Sequence, residues 1–259
     1  MIQPPGFVDP ARSNHVCKLQ KSLYGLKQAP HAWFERFTSH LFTIGFIASV
    51  ADPSLFVRRT GSTILYLLLY VDDIILTGNS SSAITYLISQ LVHTFELKDL
   101  GSLRYFLGLQ IDYTPPGLFV HQRKYISDLL TKFNMTICKA ASTPFSISLK
   151  LQPSTDDVLP DPTPYRNLVG ALQYATFTRP DIRYAVNQVC QYMHKPNSAH
   201  LVAAKRILRY LQGTFSLGIR FQSGSSTLTA FTDSDWAGDS YDRRSTTGII
   251  VFLGNNPIT

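Results

Sequence analysis

The stretch I64-LYLLLYVDDIILTG-78 decides the fold, because it holds two acidic residues inside an otherwise apolar run. The flanks of Asp72 and Asp73 are strongly β-forming, which indicates two buried strands. The simplest interpretation is a pair of strands that turns at the acids. Residues 55–58 form a further strand pattern upstream, joined to the run by a turn at residues 60–62.

The acid pair Asp72-Asp73 has two interpretations. Burying two carboxylates beside such strands costs several kcal/mol unless a cation compensates their charge. Divalent cations bound by carboxylate oxygens are the usual compensation, and two ions about 4 Å apart can clamp the attacking and leaving oxygens of a phosphoryl transfer. A solvent-exposed turn explains the same residues, since Asp is common in turns. By itself the pair leaves both interpretations open.

Helices with one apolar face are predicted on both sides of these strands. Pro30 begins the first helix and Gly45 ends it, while residues 80–82 can cap the second. The apolar residues of the two faces are Trp33, Phe34, Phe37, Leu41 and Ile44, then Ile84, Leu87, Ile88, Leu91 and Phe95.

Further elements are predicted downstream. Residues 103–112 look like one extended segment that ends at Pro115-Pro116-Gly117, and residues 141–164 look like a linker rich in Pro, Ser, Thr and Asp. Strand-like alternation occupies residues 227–232 and 246–253. Three helical patterns are also present. Their apolar residues are Tyr125, Ile126, Leu129 and Phe133; then Ala185, Val186, Val189 and Met193; and then Leu201, Ala204, Leu208 and Leu211. The third pattern has Ser198 as its cap and Gly213 as its stop.

Composition narrows the class of protein. The 259 residues are 44% hydrophobic, which is enough for one large domain or two ordinary ones. The formal net charge of +7 suits a polyanionic partner such as nucleic acid, although a generic basic protein is the alternative. Three distant cysteines indicate neither a disulfide framework nor a zinc finger. Without a signal-peptide pattern or a membrane-spanning run, we expect a soluble intracellular protein.

Six blocks of the sequence resemble the copia-type reverse transcriptases of long-terminal-repeat retrotransposons. Three of them are S22-LYGLKQAPHAW-F34, Y70-VDD-73 and F95-ELKDLGSLRYFLGLQI-111. The others are QPPGF at 3–7, TPYRNLVGALQYATFTRPDI at 163–182, and LTAFTDSDWAGD with RRSTTG at 228–248. The resemblance covers nearly the whole chain. It implies an RNA-directed DNA polymerase of the α+β class, with a partial right-hand palm, thumb and connection helices, and a truncated ribonuclease H-like strand pair.

The resemblance also implies roles for single residues. Asp72 and Asp73 match the catalytic acids of the palm hairpin, which hold Mg²⁺ or Mn²⁺, and Tyr70 matches the aromatic residue beside the primer terminus. The residues that match the block contacting template and incoming nucleotide are Gly25, Lys27 and Gln28. A helix start with a tight turn is the structural alternative for that block, and both interpretations can hold together.

Other matches have equally good structural alternatives. Lys98 matches a lysine that assists the departure of pyrophosphate, and Phe106-Leu107-Gly108 resembles the primer-grip strand. A surface lysine and ordinary core packing are the alternatives. Asp233 matches the first metal-binding acid of a ribonuclease H domain. The helix residues that could track phosphates, unless they form a solvated face, are Lys205, Arg206 and Arg209.

The domain boundaries follow from the same resemblance. Residues 1–140 are expected to form the partial palm and the start of the thumb, and residues 141–164 the linker. Residues 165–222 are expected to form the thumb and connection helices, and residues 223–259 the first part of the ribonuclease H-like domain.

Two departures from the family lead us to expect a truncated copy with little or no polymerase activity. No block resembles DVxxAFLxG, which carries the third carboxylate upstream, and the later ribonuclease H acids would lie beyond Thr259. Met1 resembles an internal methionine that now serves as the start. The expected partners are an RNA or DNA template-primer and deoxynucleoside triphosphates, with no membrane. A non-catalytic nucleic-acid-binding remnant and a poorly folding pseudogene product are the alternatives.

Overall fold

The chain contains two compact units, Met1–Gly101 and Ser102–Thr259. A computed structural model describes residues 1–19, 23, 25–115, 117–146, 151–153, 157–238 and 243–259. Over these residues there are six α-helices and three antiparallel sheets, so the predicted mixture of helix and sheet is confirmed. None of the helices in the described ranges has the length and apolar character needed to cross a membrane.

The first unit is an antiparallel meander of four strands with two helices. A short 3-10 helix, Pro10–Arg12, precedes them. The strands pair in the order β1-β2-β3-β4. The elements are α1 (Ala29–Thr43), β1 (Ile47–Ala48), β2 (Leu55–Thr60), β3 (Thr63–Tyr70), β4 (Asp73–Gly78) and α2 (Ser81–Phe95).

The core of the first unit lies between one face of this sheet and both helices. Alternate residues of β3 point to the same face, and three of them are buried: Leu65, Leu67 and Leu69. They join Phe37 and Leu41 of α1 and Leu87 and Leu91 of α2 in one cluster. Burying such side chains contributes about 1.5–3 kcal/mol each, so the predicted apolar faces of the helices hold the meander in place.

The second unit combines a helical bundle with two small sheets. One sheet has the order β5-β6-β7-β8 and the other β9-β10-β11. The strands are β5 (Tyr105–Phe106), β6 (Leu109–Thr114), β7 (Gly117–His121), β8 (Ile219–Gln222), β9 (Leu228–Ser234), β10 (Thr247–Leu253) and β11 (Asn256–Pro257). The helices are α3 (Arg123–Lys132), α4 (Thr163–Ala175), α5 (Arg183–Cys190) and α6 (Ser198–Gly213).

The four helices of the second unit enclose the larger hydrophobic core. Its fully buried members include Ile126, Tyr165, Leu168, Leu172, Val189, Ile207 and Leu208. The hydroxyl of Tyr165 donates a hydrogen bond of 2.7 Å to the carbonyl of Val189, which ties α4 to α5. Apolar residues at a spacing of three and four along each helix make these contacts possible.

An ion pair between buried Arg179 and partly exposed Asp181 also belongs to this bundle. The Arg179 side chain is 1% exposed, and it donates two hydrogen bonds to Asp181, of 2.9 and 2.7 Å. It donates two more to Thr214, at the end of α6. The guanidinium therefore joins the segment after α4 to the end of α6.

The structure corrects several sequence predictions. Residues 103–112 do not form one extended segment, because Leu107 and Gly108 make a two-residue turn between β5 and β6 with φ of +48° and +75°. Glycine tolerates that backbone conformation and favours such a turn. Helix α4 and strands β7, β8 and β11 were not predicted. The cap of α6 is Asn197 instead of Ser198, since the Asn197 side chain accepts a hydrogen bond from the backbone N–H of His200.

The predicted linker is packed against the bundle where the structure describes it. Residues 147–150 and 154–156 of this segment, like Pro116 of the predicted Pro-Pro-Gly stop, lie outside the described residues. Leu151 is buried in the bundle core, and its carbonyl accepts a hydrogen bond of 3.0 Å from the hydroxyl of Tyr192. The four segments drawn from the sequence, and the boundaries between them, stay predictions.

Candidate active site

The two acids lie at the tight turn between β3 and β4. Tyr70 pairs with Asp73 across the hairpin, which leaves Val71 and Asp72 as the two turn residues. The backbone of Val71 has a φ of +55°. A β-branched residue seldom adopts this conformation, and the strain is of order 1–3 kcal/mol. A contact from outside the turn is therefore needed to hold Val71 in this backbone conformation.

The hairpin directs Asp73 away from the helices. Directly paired residues of an antiparallel sheet share a face, so Asp73 lies on the same face as Tyr70 and Tyr66. That face is open, with Tyr66 38% and Tyr70 50% exposed, whereas Leu65, Leu67 and Leu69 cover the opposite face. The sequence had left two interpretations open for the acids, a cation-compensated pair beside buried strands and a solvent-exposed turn. Both acids are exposed, as the turn interpretation predicts.

No basic side chain of the described residues lies within 4 Å of either carboxylate. In the same residues, no three His, Cys, Asp or Glu side chains come together as a metal-binding group. Two adjacent exposed carboxylates nevertheless have the donor chemistry that hard divalent cations prefer. Asp72 and Asp73 thus fit as part of such a site.

Trp33 connects α1 to the hairpin turn, and sequence reasoning missed this contact. Its indole Nε1 donates a hydrogen bond of 2.7 Å to the carbonyl oxygen of Val71, 38 residues away. The sequence predicted Trp33 only as part of an apolar helix face. No local pattern indicates such a bond, because its acceptor is a backbone atom on a distant strand connection.

The block before α1 is exposed. Gly25 has a φ of +86°, and among the described residues, its chain neighbours aside, no atom lies within 4 Å of the position of an added Cβ, so it allows a close approach of another molecule to the backbone. Lys27 and Gln28 are exposed as well. Gln28 occupies the N-cap position of α1 but makes no side-chain capping hydrogen bond. Both the helix-start interpretation and the binding interpretation remain open for this block.

The weaker candidates lie in different surroundings. Lys98 is exposed in the segment after α2, and Lys205 is exposed on α6. Arg206 and Arg209 donate hydrogen bonds to the backbone carbonyls of Thr143 and Lys139, so they fasten residues 139–143 to α6. Of the primer-grip candidates, Leu107 accepts a hydrogen bond from the hydroxyl of Tyr174 on α4.

Asp233 lies in β9 and is exposed. It lines a cavity of about 740 Å³ together with Arg183, Phe231 and residues of β8 and β10. Asp235, two residues on, accepts backbone hydrogen bonds from Thr246 and Gly238 and thereby shapes the turn after β9. The carboxylate of Asp233 accepts a bond only from its neighbour Ser234 within the described residues.

Sequence comparison connects this geometry to a family. The family model described as reverse transcriptase (RNA-dependent DNA polymerase) matches residues 1–147, a range that includes α1 and the Asp72-Asp73 hairpin. The chain belongs to the reverse transcriptase family. Its similarity to the Pol polyproteins of plant transposons places the chain with the copia-type retrotransposons.

Relatives of this chain come from plants and yeast. It is 51% identical over its whole length to a retrovirus-related Pol polyprotein from transposon RE1 of Arabidopsis thaliana, and 48% identical to the one from transposon RE2. It covers 18% of each of these polyproteins. It is also 34% identical to a putative transposon Ty5-1 protein of Saccharomyces cerevisiae, covering 99% of this chain and 84% of that protein. No solved structure matches the chain. Membership of this family implies the use of a divalent metal ion in general.

Proposed function

We propose that this chain carries the catalytic hairpin of an RNA-directed DNA polymerase encoded by a copia-type retrotransposon. One observation supports the proposal most: two exposed carboxylates follow one another at a tight β-hairpin turn, with no basic side chain of the described residues beside them. Nucleotidyl transfer needs oxygen ligands for divalent cations at the reacting phosphate. The turn supplies two such ligands on one short segment.

Each residue of the proposed site has a physical role. Asp72 and Asp73 would hold Mg²⁺ or Mn²⁺, which when bound neutralises charge on the transferred phosphoryl group. Tyr70, on the same face as Asp73, offers a half-exposed ring for contact with the primer terminus. The exposed amide of Gln28 can hydrogen-bond a sugar or a base edge. Lys27 can pair with phosphate, and Lys98 with departing pyrophosphate.

The two units suggest polymerase subdomains. We assign the meander of the first unit to the palm, because it carries the acids, and helices α4, α5 and α6 to the thumb and connection. Strands β9 and β10 would begin a ribonuclease H-like domain, with Asp233 as its first metal-binding acid. The β5–β6 turn at Leu107-Gly108 would be the primer grip.

Metal binding and primer extension test the proposal. Mn²⁺ binding, followed by the relaxation of water protons, should weaken at least tenfold, about 1.4 kcal/mol, in Asp72→Asn. Asp128→Asn is the matched control, since that acid is exposed on α3 and pairs with Lys124. Equal Mn²⁺ affinity in wild type and Asp72→Asn would contradict the metal site.

The sequence-based expectation of weak activity stays a prediction. Extension of a DNA primer on an RNA template, with Mg²⁺ and then Mn²⁺, measures it directly. Robust extension that Asp72→Asn abolishes would support the proposed function and refute the expected inactivity. Any residual extension should also depend on Asp72.

Nucleic-acid binding without catalysis is the second candidate function, favoured by the net charge of +7. Filter binding of a single-stranded oligonucleotide against salt concentration would test it. Each phosphate contact contributes about −0.7 to the slope of log K against log salt. Loss of Lys205 should reduce that slope if α6 follows the backbone, whereas Arg206 and Arg209 also hold residues 139–143 in place.

A further inference from the structure

The peptide bond between Val71 and Asp72 is the part of the hairpin turn that α1 contacts. The acceptor of the Trp33 hydrogen bond is the carbonyl oxygen of Val71. That oxygen lies in the same rigid plane as the backbone N–H of Asp72. A bond that fixes this oxygen therefore fixes the orientation of the peptide from which the Asp72 side chain begins.

The turn needs an external constraint because its own sequence disfavours it. Val71 has a φ of +55°, a region that β-branched residues rarely occupy. Rotation of the peptide plane between Val71 and Asp72 changes ψ of Val71 and φ of Asp72, so it would redirect the Asp72 side chain. A hydrogen bond of 2.7 Å from Trp33 opposes that rotation.

The indole of Trp33 is itself held by other aromatic rings. Its ring lies 5.1 Å from that of Phe37, one turn along α1, and 5.7 Å from that of Phe95 at the end of α2. Phe37 and Phe95 are in contact with each other at 5.0 Å. Both helices thus contribute to the position of a single N–H group at the turn.

We propose that Trp33 is a positioning residue, which holds the turn of the proposed catalytic hairpin so that the carboxylates of Asp72 and Asp73 present a fixed geometry to a divalent cation. The inference rests on the proposed function for the identity of the ligand. Three observations support the anchoring of the turn by Trp33: its hydrogen bond to Val71, its ring contacts and the backbone conformation of Val71. Trp33 acts through the backbone and has no role in contacting substrate.

The first test examines the hydrogen bond directly. The chain has two tryptophans, and Trp236 is 93% exposed, so Trp236→Phe leaves one indole resonance to follow. In that variant the Trp33 indole N–H should exchange with solvent at least tenfold more slowly than a free indole. The backbone amide of Asp73, which closes the two-residue turn by pairing with Tyr70, should exchange faster when Trp33→Phe is added. An unprotected indole, or an unchanged Asp73 amide, overturns the inference.

The second test examines the effect on metal binding. Trp33→Phe keeps an aromatic ring on α1 but removes the donor, and Trp236→Phe is the matched control. Loss of one hydrogen bond should weaken Mn²⁺ binding about fivefold, and the electron paramagnetic resonance spectrum of the bound Mn²⁺ should broaden. Trp236→Phe should match wild type in both measurements.

The two tests separate failure of the inference from failure of the proposed function. If Mn²⁺ binding depends on Asp72 but is equal in Trp33→Phe and Trp236→Phe, Trp33 does not position the acids. If Mn²⁺ binding never depends on Asp72, the proposed metal site is wrong, and the exchange of the Asp73 amide alone decides whether Trp33 anchors the turn. A urea titration of each variant verifies that it is folded under the conditions used.

Discussion

Asp181 in the second unit and the pair Asp72-Asp73 in the first unit have opposite surroundings. In the second unit, Asp181 accepts two hydrogen bonds from the buried guanidinium of Arg179 and a third, of 2.9 Å, from the hydroxyl of Tyr210. In the first unit, Asp72 and Asp73 are exposed, and no basic side chain of the described residues lies within 4 Å of them. An acid whose charge the chain itself compensates stabilises the fold. An acid pair without such compensation can bind an external cation.

The pKa of Asp181 reflects this arrangement. Burial raises the pKa, but the hydrogen bonds and charge of Arg179, together with Tyr210, outweigh burial and hold the pKa below its usual value. The carboxylate is therefore ionised in the folded chain at any pH near neutrality. Its stabilising effect is complete above the pKa of the unfolded chain and decreases as pH falls through the lower pKa of the folded chain.

The largest difference between the units should appear on removal of Arg179. Arg179→Met takes away the partner of Asp181 and two hydrogen bonds to Thr214, so the free energy of unfolding should fall by about 3 kcal/mol. Lys205→Met, on the exposed side of α6, should change it by less than about 0.5 kcal/mol. Urea denaturation followed by circular dichroism measures both. Equal effects of the two substitutions would mean that the Arg179–Asp181 pair does not stabilise the bundle.

A second comparison removes one hydroxyl from each unit. Tyr165→Phe removes a buried hydrogen bond to the carbonyl of Val189, which keeps the backbone N–H of Tyr192 as a donor, and should lower the free energy of unfolding by about 1.5 kcal/mol. Tyr66→Phe, on the open face of the first sheet, should leave it unchanged within about 0.5 kcal/mol. The same urea titration applies. A large loss in Tyr66→Phe would show that the open face is covered in solution.

The third prediction concerns Asp72 and Asp73. Mg²⁺ at ten times its dissociation constant should raise the free energy of unfolding of the wild type by about 1.4 kcal/mol. Asp72→Asn should lose this increase, and Asp128→Asn should retain it. In the absence of metal, Asp72→Asn should be at least as stable as wild type, because it removes repulsion between neighbouring carboxylates. Metal-induced stabilisation that survives in Asp72→Asn would place the cation elsewhere.

The smallest predicted effect is the pH dependence of the second unit. Burial lowers the pKa of His200 from its ordinary value of 6.5, and the hydrogen bond to the carbonyl of Gln152 only partly opposes this. Stability from this group is complete above about pH 6.5 and decreases as pH falls towards the lower pKa of the folded chain, because the unfolded chain takes up the proton first.

Hydrogen exchange can assign this pH dependence to one unit. Between pH 7.5 and 5.5, corrected for the intrinsic exchange rate, protection should decrease in α6 more than in β3. His200→Gln should reduce the difference. A uniform decrease in both units, or no effect of His200→Gln, would contradict the prediction.

Local patterns predicted much of the fold. The β2–β3 and β3–β4 hairpins, α1, α2, α3, α5 and α6 follow from apolar spacing and from turn or cap residues close in sequence. The same spacing in Tyr165, Leu168, Val169 and Leu172 could have revealed α4, but its position beside a Pro-rich segment concealed it. Strand β8 was not predictable in this way, since its partner β7 lies about a hundred residues earlier.

The sequence by itself determined the family, the hairpin that carries Asp72 and Asp73, and the apolar faces of most helices. These depend on residue type and short spacing, which set the backbone conformation and the hydrophobic periodicity. Only the tertiary structure decided that the two acids are exposed, that Arg179 neutralises Asp181 within the bundle, and that Trp33 holds the Val71 carbonyl. The Trp33 contact joins residues 38 positions apart, and Arg179 is held in the bundle by Thr214, 35 positions away. Packing of each whole unit determines which of these distant residues come into contact.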